Sequence, residues 1–242
     1  MTPDPAPTTD VVDLAVVVLH PRDAEGATAG GADRLVLQVD PGPYARSPEP
    51  AAVSAVLRET DLPVWVTLHD PDLPFHRLVL LGEQFVELGV AGLAYGFLDD
   101  DLAVDRASCA EVCAETGGTP WTFTGFDETL DTARAWRDVV DLPGLDGVVT
   151  AGSTRGLAHG VEDLIAQARR DPAVAALVTA AGGLTPEVVP WLVRAGVHKF
   201  AIGRSARPGG SWTRASVAAD HVRSWRMLLD DALGRALGLP VD

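Results

Sequence analysis

Two glycine-containing segments near the carboxyl end of the sequence carry residue types that bind anions. Ala181-Gly182-Gly183 and Gly203-Arg204-Ser205 each follow a short apolar run. Glycine lets backbone N–H groups approach an anion closely, and a guanidinium can donate two parallel hydrogen bonds to it. The pattern predicts a binding site for a small anion at Gly182, Gly183, Gly203, Arg204 and Ser205. The alternative is that the glycines only turn the chain and that Arg204 pairs with a surface carboxylate.

A second group of residues offers acid–base chemistry. His69 ends another apolar run and Asp70 comes directly after it, and histidine changes charge near neutral pH. Asp13, in the first run, is the other candidate for an acid or base. If His69 and Asp13 are catalytic, we expect them to converge with Arg204 on one polar pocket. Hydroxyl groups for ligand contacts are available from Thr122, Thr124, Thr150 and Tyr95.

Two cysteines are the only thiols of the chain. Cys109 and Cys113 are four residues apart, which places them on one face of a helix. Thiolates suit Cu(I), so a non-catalytic Cu(I) site on this pair is one hypothesis, and buried packing is the alternative. The sequence has no other His/Cys cluster with ligand spacing and no nucleotide-binding fingerprint. We therefore predict no metal site and no cofactor.

Eight short apolar runs must position these residues, and they alternate with segments that have helical periodicity. Continuous apolar runs are typical of parallel strands buried on both faces. Eight such units predict an α/β fold with a single (β/α)8 barrel, whose chemistry is expected at the carboxyl ends of the strands. The runs are Val11–Val18, Arg34–Val39, Pro63–His69, Ala91–Phe97, Pro120–Thr124, Leu145–Thr150, Ala175–Ala180 and His198–Ile202.

The composition limits the partners and the location of the chain. It has 242 residues, 47% of them hydrophobic, and a formal net charge of −15. An acidic surface repels nucleic acid and anionic membranes, so we expect neither as a partner. We predict a disordered lead-in over residues 1–10, one barrel domain over residues 11–242 and a cytoplasmic location. Whether the chain forms a homo-oligomer stays open.

Several short motifs follow one another in a defined order. They are Gly30-Gly31-Ala32-Asp33-Arg34, Leu62-Pro63-Val64, Glu87-Leu88-Gly89, Thr122-Phe123 with Phe126-Asp127, and Val149-Thr150-Ala151-Gly152. In order and spacing they resemble the CutC family of copper homeostasis proteins. The resemblance runs from about Asp13 to Ser205 and implies a (β/α)8 barrel with a role in copper homeostasis. The loop with Gly203-Arg204-Ser205 also resembles the phosphate-binding end of barrels of the orotidine-phosphate decarboxylase type.

The chain departs from the family pattern where function is expected. Thr124-Gly125 stand in place of a His-Arg pair, His69-Asp70-Pro71 in place of Arg-Pro-Arg, Ala15 and Gln38 in place of cysteines, Asp13 in place of a glutamate, and Ala201 near a lost histidine. The resemblance therefore supports the fold, and copper binding should be absent if it needs those groups.

Three functional hypotheses follow from these observations. The first is a CutC-like cytoplasmic barrel that binds a small anionic molecule at its strand ends. The second is a lyase or isomerase of a phosphorylated metabolite, with His69 or Asp13 as acid or base and Arg204 as anion clamp. The third is a Cu(I) handler that uses Cys109 and Cys113, which requires exposed thiols.

Overall fold

The computed structural model of the protein describes residues 11–41 and 45–239. Its eight parallel strands pair in chain order and close into one barrel. The strands are β1 (Asp13–Val18), β2 (Arg34–Leu37), β3 (Val64–Thr67), β4 (Gly92–Tyr95), β5 (Trp121–Phe123), β6 (Leu145–Thr150), β7 (Val178–Ala180) and β8 (Lys199–Ile202). The predicted (β/α)8 barrel is confirmed, and the lead-in predicted for residues 1–10 lies outside the described residues.

Helices form the outer layer of the barrel. They are α1 (Pro21–Gly30), α2 (Pro50–Leu57), α3 (Phe75–Glu87), α4 (Arg106–Glu115), α5 (Thr132–Val139), α6 (Leu157–Arg170), α7 (Pro172–Leu177), α8 (Val189–Arg194) and α9 (Ala219–Ala236). Within the described ranges, no helix has the length and apolar character needed to cross a membrane.

Side chains alternate along each strand between the helical layer and the inside of the barrel. On β1, Leu14, Val16 and Val18 are fully buried between the sheet and the helices. Val17 of β1 and Val36 of β2 are register partners on the other face, and both are only half-buried. The inside of this barrel is therefore more open to solvent than the layer between sheet and helices.

The seventh strand is shorter than the apolar run predicts. Ala175 and the next two residues belong to α7, and β7 begins only at Val178. The cause is a helix start signal just upstream: Asp171 accepts a hydrogen bond from the Ala173 N–H at 2.9 Å, and Pro172 occupies the first helical position. Periodicity alone does not separate a short buried helix from a strand.

The last helix, α9, begins at Ala219, well after β8 ends at Ile202. The preceding segment is held by tertiary contacts. The Val217 N–H donates to the Asp23 carboxylate at 3.0 Å, and the ring of Trp212 packs on the Arg207 guanidinium. These contacts carry residues 211–218 along the carboxyl-terminal face of the barrel before α9 starts.

A buried ion pair between Asp23 and Arg207 links distant parts of the chain at this face. Arg207 donates to Asp23 at 2.7 Å, and their side chains are 1% and 2% exposed. Arg207 also donates to the carbonyls of Val17 and Gly203, while the Asp23 carboxylate accepts the Leu19 N–H. The pair therefore fixes the end of β1, the start of α1 and the loop after β8 relative to one another.

Arg207→Leu leaves the Asp23 carboxylate buried without its charge partner. We expect the free energy of unfolding in urea to fall by about 3–5 kcal/mol, as when one side of a buried pair is removed. Arg235→Leu is the matched control, because Arg235 pairs with Asp231 at the exposed surface of α9, where such pairs contribute little. Similar losses in the two variants would contradict the anchoring role of Arg207.

Candidate functional site

The loops after β7 and β8 lie side by side, because these strands are neighbours in the barrel. Gly182 and Gly183 have φ angles of 75° and 105°, which glycine adopts without strain. Both are exposed, and their N–H groups donate to no acceptor among the described residues. Arg204 and Ser205 open a short 3-10 turn. Their N–H groups likewise donate to no acceptor among the described residues. The structure thus places these predicted residues at the ends of two neighbouring strands, and anion binding by them stays a prediction.

The Arg204 side chain is exposed in the loop after β8. Its Nε donates to the Gly210 carbonyl at 3.2 Å, whereas its two terminal nitrogens have no hydrogen bond within the described chain. The carbonyl of Ser205 lies 3.2 Å from Nδ1 of His221, at the edge of a surface cleft of about 320 Å³. The two terminal nitrogens of Arg204 are therefore available to a ligand, and anion binding by Arg204 stays a prediction.

Arg207 supports this loop from below, and sequence analysis missed it. Burial lowers the pKa of its guanidinium, and the charge of Asp23 opposes that shift. Its bond to the Gly203 carbonyl, 3.0 Å long, ties the guanidinium to the loop after β8. Asp23 is 184 residues away in sequence, so no local spacing could have indicated the pair.

Trp212 covers part of the barrel mouth above β8. An added Cβ at Gly203 would lie 2.1 Å from the Trp212 ring, and the Arg207 guanidinium lies 4.7 Å from the ring centre. Because Ile202 points to the helices, Gly203 faces the inside of the barrel. The missing side chain of Gly203 thus leaves the space that the indole ring of Trp212 occupies. The sequence did not indicate this role.

His69 lies at the mouth above β3. Leu68 points outward and is buried, so His69 continues the inward-facing row of this strand. Its backbone is fixed by Ser47, which donates its N–H to the His69 carbonyl at 2.8 Å and accepts the His69 N–H at 2.9 Å. Asp70 does not contact the ring; its carboxylate pairs with Arg46 at 3.3 Å. His69 is therefore positioned at the mouth, without the Asp70 contact that would modulate it.

The hydroxyl candidates separate into two groups. Thr122 and Thr124 alternate with the outward-facing Phe123 and so face the inside of the barrel. The prediction that Thr150 binds ligand is wrong in its geometry, because its buried hydroxyl donates to the Asp127 carboxylate, which also accepts the Ala151 N–H at 2.8 Å. Tyr95 likewise points outward, where its hydroxyl donates to the Cys109 carbonyl at 3.3 Å.

The predicted convergence of Asp13 with His69 and Arg204 is wrong. Asp13 begins β1, so it lies at the amino-terminal rim of the barrel, and the length of β1 separates the rims by roughly 15 Å at ~3.3 Å per residue. Its carboxylate pairs with Arg34, which crosses the barrel to Asp146 of β6 at 2.9 Å. The run begins before the strand does, which is why the sequence did not show at which rim Asp13 lies.

The cross-barrel arginine forms the floor of the barrel. Burial alone would lower the pKa of Arg34, but the hydrogen bonds and charges of Asp13 and Asp146 raise it overall. The guanidinium lies 4.7 Å from the ring centre of Trp65, which covers Gly92 on the next strand. Lys199 adds an ion pair with Asp146 at 3.4 Å. These contacts close the amino-terminal end of the barrel.

The two cysteines do not form the exposed pair that a Cu(I) site would need. Cys109 and Cys113 are both buried in the layer between α4 and the sheet. Burial raises the pKa of Cys109 to about 12 and also raises the pKa of Cys113. Over residues 11–41 and 45–239, no three His, Cys, Asp or Glu side chains form a group that could hold a metal ion.

Comparisons with known proteins show the family to which the chain belongs. Residues 12–204 match the family model for the CutC family. A family protein CutC from Rhizobium meliloti is 28% identical over 161 residues, which are 63% of this chain and 65% of that protein; the chain thus spans just under two thirds of this relative. The human copper homeostasis protein cutC homolog is 26% identical over 219 residues, 85% of this chain and 78% of that protein.

A solved structure agrees with the fold. The crystal structure of a copper homeostasis protein CutC from Streptococcus agalactiae superposes with a TM-score of 0.68 at 18% identity. The match covers 80% of this chain and 98% of that one. At this identity the likeness shows a shared barrel architecture.

Gly203→Ala places a methyl group where the Trp212 ring lies. Overpacking of this kind costs about 1–3 kcal/mol, so we expect a lower melting temperature and altered tryptophan fluorescence. In a Trp212→Ala background the same change should cost much less, because the clashing ring is gone. Additive effects in the double variant would show that Trp212 does not occupy this position.

Proposed function

Because this chain belongs to the CutC family, we propose that it acts in copper homeostasis by binding a small anionic molecule at the carboxyl ends of β7 and β8. The human relative's name supplies the copper role, and the geometry of this chain supplies the ligand class. We further propose a cytoplasmic location with neither nucleic acid nor membrane as partner, since the net charge of −15 repels both.

The observation that carries the anion site is the set of unpaired backbone donors at two adjacent strand ends. Gly182 and Gly183 present theirs from exposed left-handed positions, and Arg204 and Ser205 present theirs from the turn after β8. Hydrogen bonds to a charged acceptor contribute about 1.5–3 kcal/mol each, roughly twice the neutral value. Fixed donors with the exposed Arg204 guanidinium would therefore outweigh the repulsion from an acidic surface.

An enzymatic role in the same site is the second candidate. His69 lies at the mouth on the inward-facing row of β3, where it could exchange a proton with a ligand held by Arg204. A lyase or isomerase acting on a phosphorylated metabolite remains consistent with this placement. Asp13 is excluded from that mechanism, because it lies at the opposite rim in an ion pair with Arg34.

The thiols of this chain do not fit copper as a bound cargo. Copper(I) binds the thiolate, and Cys109 is fully buried, which keeps the metal away and disfavours the charged form by raising the pKa of the thiol to about 12. We therefore propose that the role in copper homeostasis is exerted through the bound anionic molecule.

Inorganic phosphate should raise the melting temperature in a saturable way, because a ligand that binds only the folded state stabilises it. Arg204→Ala should weaken this stabilisation. Arg194→Ala is the matched control, since it removes the same charge from α8, where Arg194 stacks on the exposed ring of Trp191. If phosphate protects no more than chloride at equal ionic strength, the anion site does not exist.

Anaerobic Cu(I) titration against a competing chelator should show no sub-micromolar 1:1 binding at pH 7. Cys109→Ser should leave the titration curve unchanged, because the buried thiol is not accessible to the metal. Tight stoichiometric binding that Cys109→Ser abolishes would overturn this part of the proposal.

A further inference from the structure

The inside of the barrel carries three nearly buried threonines whose hydroxyls have no protein partner. Thr67, Thr122 and Thr179 are 5%, 7% and 7% exposed. None of their hydroxyls makes a hydrogen bond to any described residue, whereas the hydroxyls of the buried Thr116 and Thr129 donate to backbone carbonyls. The three hydroxyl oxygens are not among the fully buried unpaired polar atoms of the described residues, so each keeps contact with solvent and can be reached by a ligand.

The strand register shows that Thr67 and Thr122 both face the inside of the barrel. Thr67, Ala94, Thr122 and Gly147 are register partners on four consecutive strands and therefore face the same side. The outward neighbours of Thr122, Trp121 and Phe123, are fully buried against the helices, which fixes the threonines on the inner side. The small Ala94 between them leaves space in front of both hydroxyls.

Thr179 faces the interior from the opposite wall, because β7 lies opposite β3 in the closed order of eight strands. An added Cβ at Gly147 would lie 2.8 Å from its Oγ1, so the missing side chain of Gly147 is what leaves this hydroxyl uncovered. Layers inside a tilted barrel are formed by alternate strands, so Thr122 and Thr179 lie at the level of Trp65, and Thr67 lies one layer nearer the mouth. Arg34, on which the Trp65 ring packs, forms the floor.

Space above the floor is open to solvent. Val17, Val36, Val149 and Ala201 also face inward, and all four are half-buried although they lie within strands. Barrel interiors of this type are usually filled by bulky branched side chains. Here alanine, glycine and threonine occupy many of these positions, so the mouth continues downward into a polar recess.

We propose that this recess, lined by the hydroxyls of Thr67, Thr122 and Thr179, binds the hydroxyl groups of a short phosphorylated polyol. The inference rests on the proposed anion site, because the phosphate would lie at Gly182 and Arg204. Gly182 lies three positions after Thr179, which is at most about 10 Å of chain at ~3.3 Å per residue. A four-carbon polyol phosphate with its hydrogen bonds spans this distance, and its hydroxyls can both donate to and accept from threonine.

Calorimetry with a matched pair of ligands tests the recess. Erythritol 4-phosphate and butyl phosphate have the same carbon chain, but only the first carries the extra hydroxyls. We expect erythritol 4-phosphate to bind at least about tenfold more tightly, and Thr122→Val or Thr179→Val to lower its affinity about three- to tenfold, the effect of one neutral hydrogen bond. The affinities for butyl phosphate and inorganic phosphate should not change in these variants.

Thr116→Val is the control, since Thr116 is equally buried but its hydroxyl bonds the Val112 carbonyl in α4, away from the barrel axis. It should lower the melting temperature and leave both affinities unchanged, whereas the two barrel variants should melt no lower than the wild type. Equal binding of the two esters, or affinities unaffected by Thr122→Val and Thr179→Val, would overturn the inference. If inorganic phosphate fails to bind while erythritol 4-phosphate binds through the threonines, the recess stands and the anion site fails; if neither binds, both fail.

Discussion

The carboxyl-terminal face depends on the buried ion pair between Arg207 and Asp23. Removing two charges from water is unfavourable, and hydrogen bonds to both carboxylate oxygens and both terminal guanidinium nitrogens offset this cost, while Nε of Arg207 has no partner among the described residues. Apart from the pair itself, the partners are backbone groups at the end of β1, in the loop after β8 and in the segment before α9. Through Gly203 and the overlying Trp212, the same contacts set the edge of the mouth at which Arg204 and its neighbouring amides are presented.

Charge is distributed unequally between the two ends of the barrel. At the amino-terminal rim, Arg34 and Lys199 are neutralised by Asp13 and Asp146, so this end is a closed and paired structural element. At the carboxyl-terminal rim the exposed guanidinium of Arg204 carries no ion pair within the described chain. Unpaired donors at one rim and satisfied ones at the other are what a ligand site on a stable scaffold requires, because barrel chemistry is found at the carboxyl-terminal face.

The sequence predicted the barrel correctly because its apolar runs and helical segments report directly on burial. The sequence also predicted that Gly182 and Arg204 follow neighbouring strands, because chain order alone determines which strands are adjacent in a closed barrel. It failed where a side chain's role depends on its level or on distant partners. Asp13 was placed at the wrong rim, because an apolar run does not show where the strand begins. Thr150 was taken as a ligand contact, although Asp127 in the preceding loop already binds its hydroxyl.

Backbone amide NMR tests the central claim, anion binding at the ends of β7 and β8, most directly. In a 15N-labelled sample titrated with inorganic phosphate at constant ionic strength, the largest saturable shifts should belong to the N–H groups of Gly182, Gly183, Arg204 and Ser205, which have no acceptor within the described chain. A common dissociation constant for these amides would identify one site. Shifts centred on the amino-terminal rim around Arg34 and Lys199, or shifts that never saturate, would contradict the account.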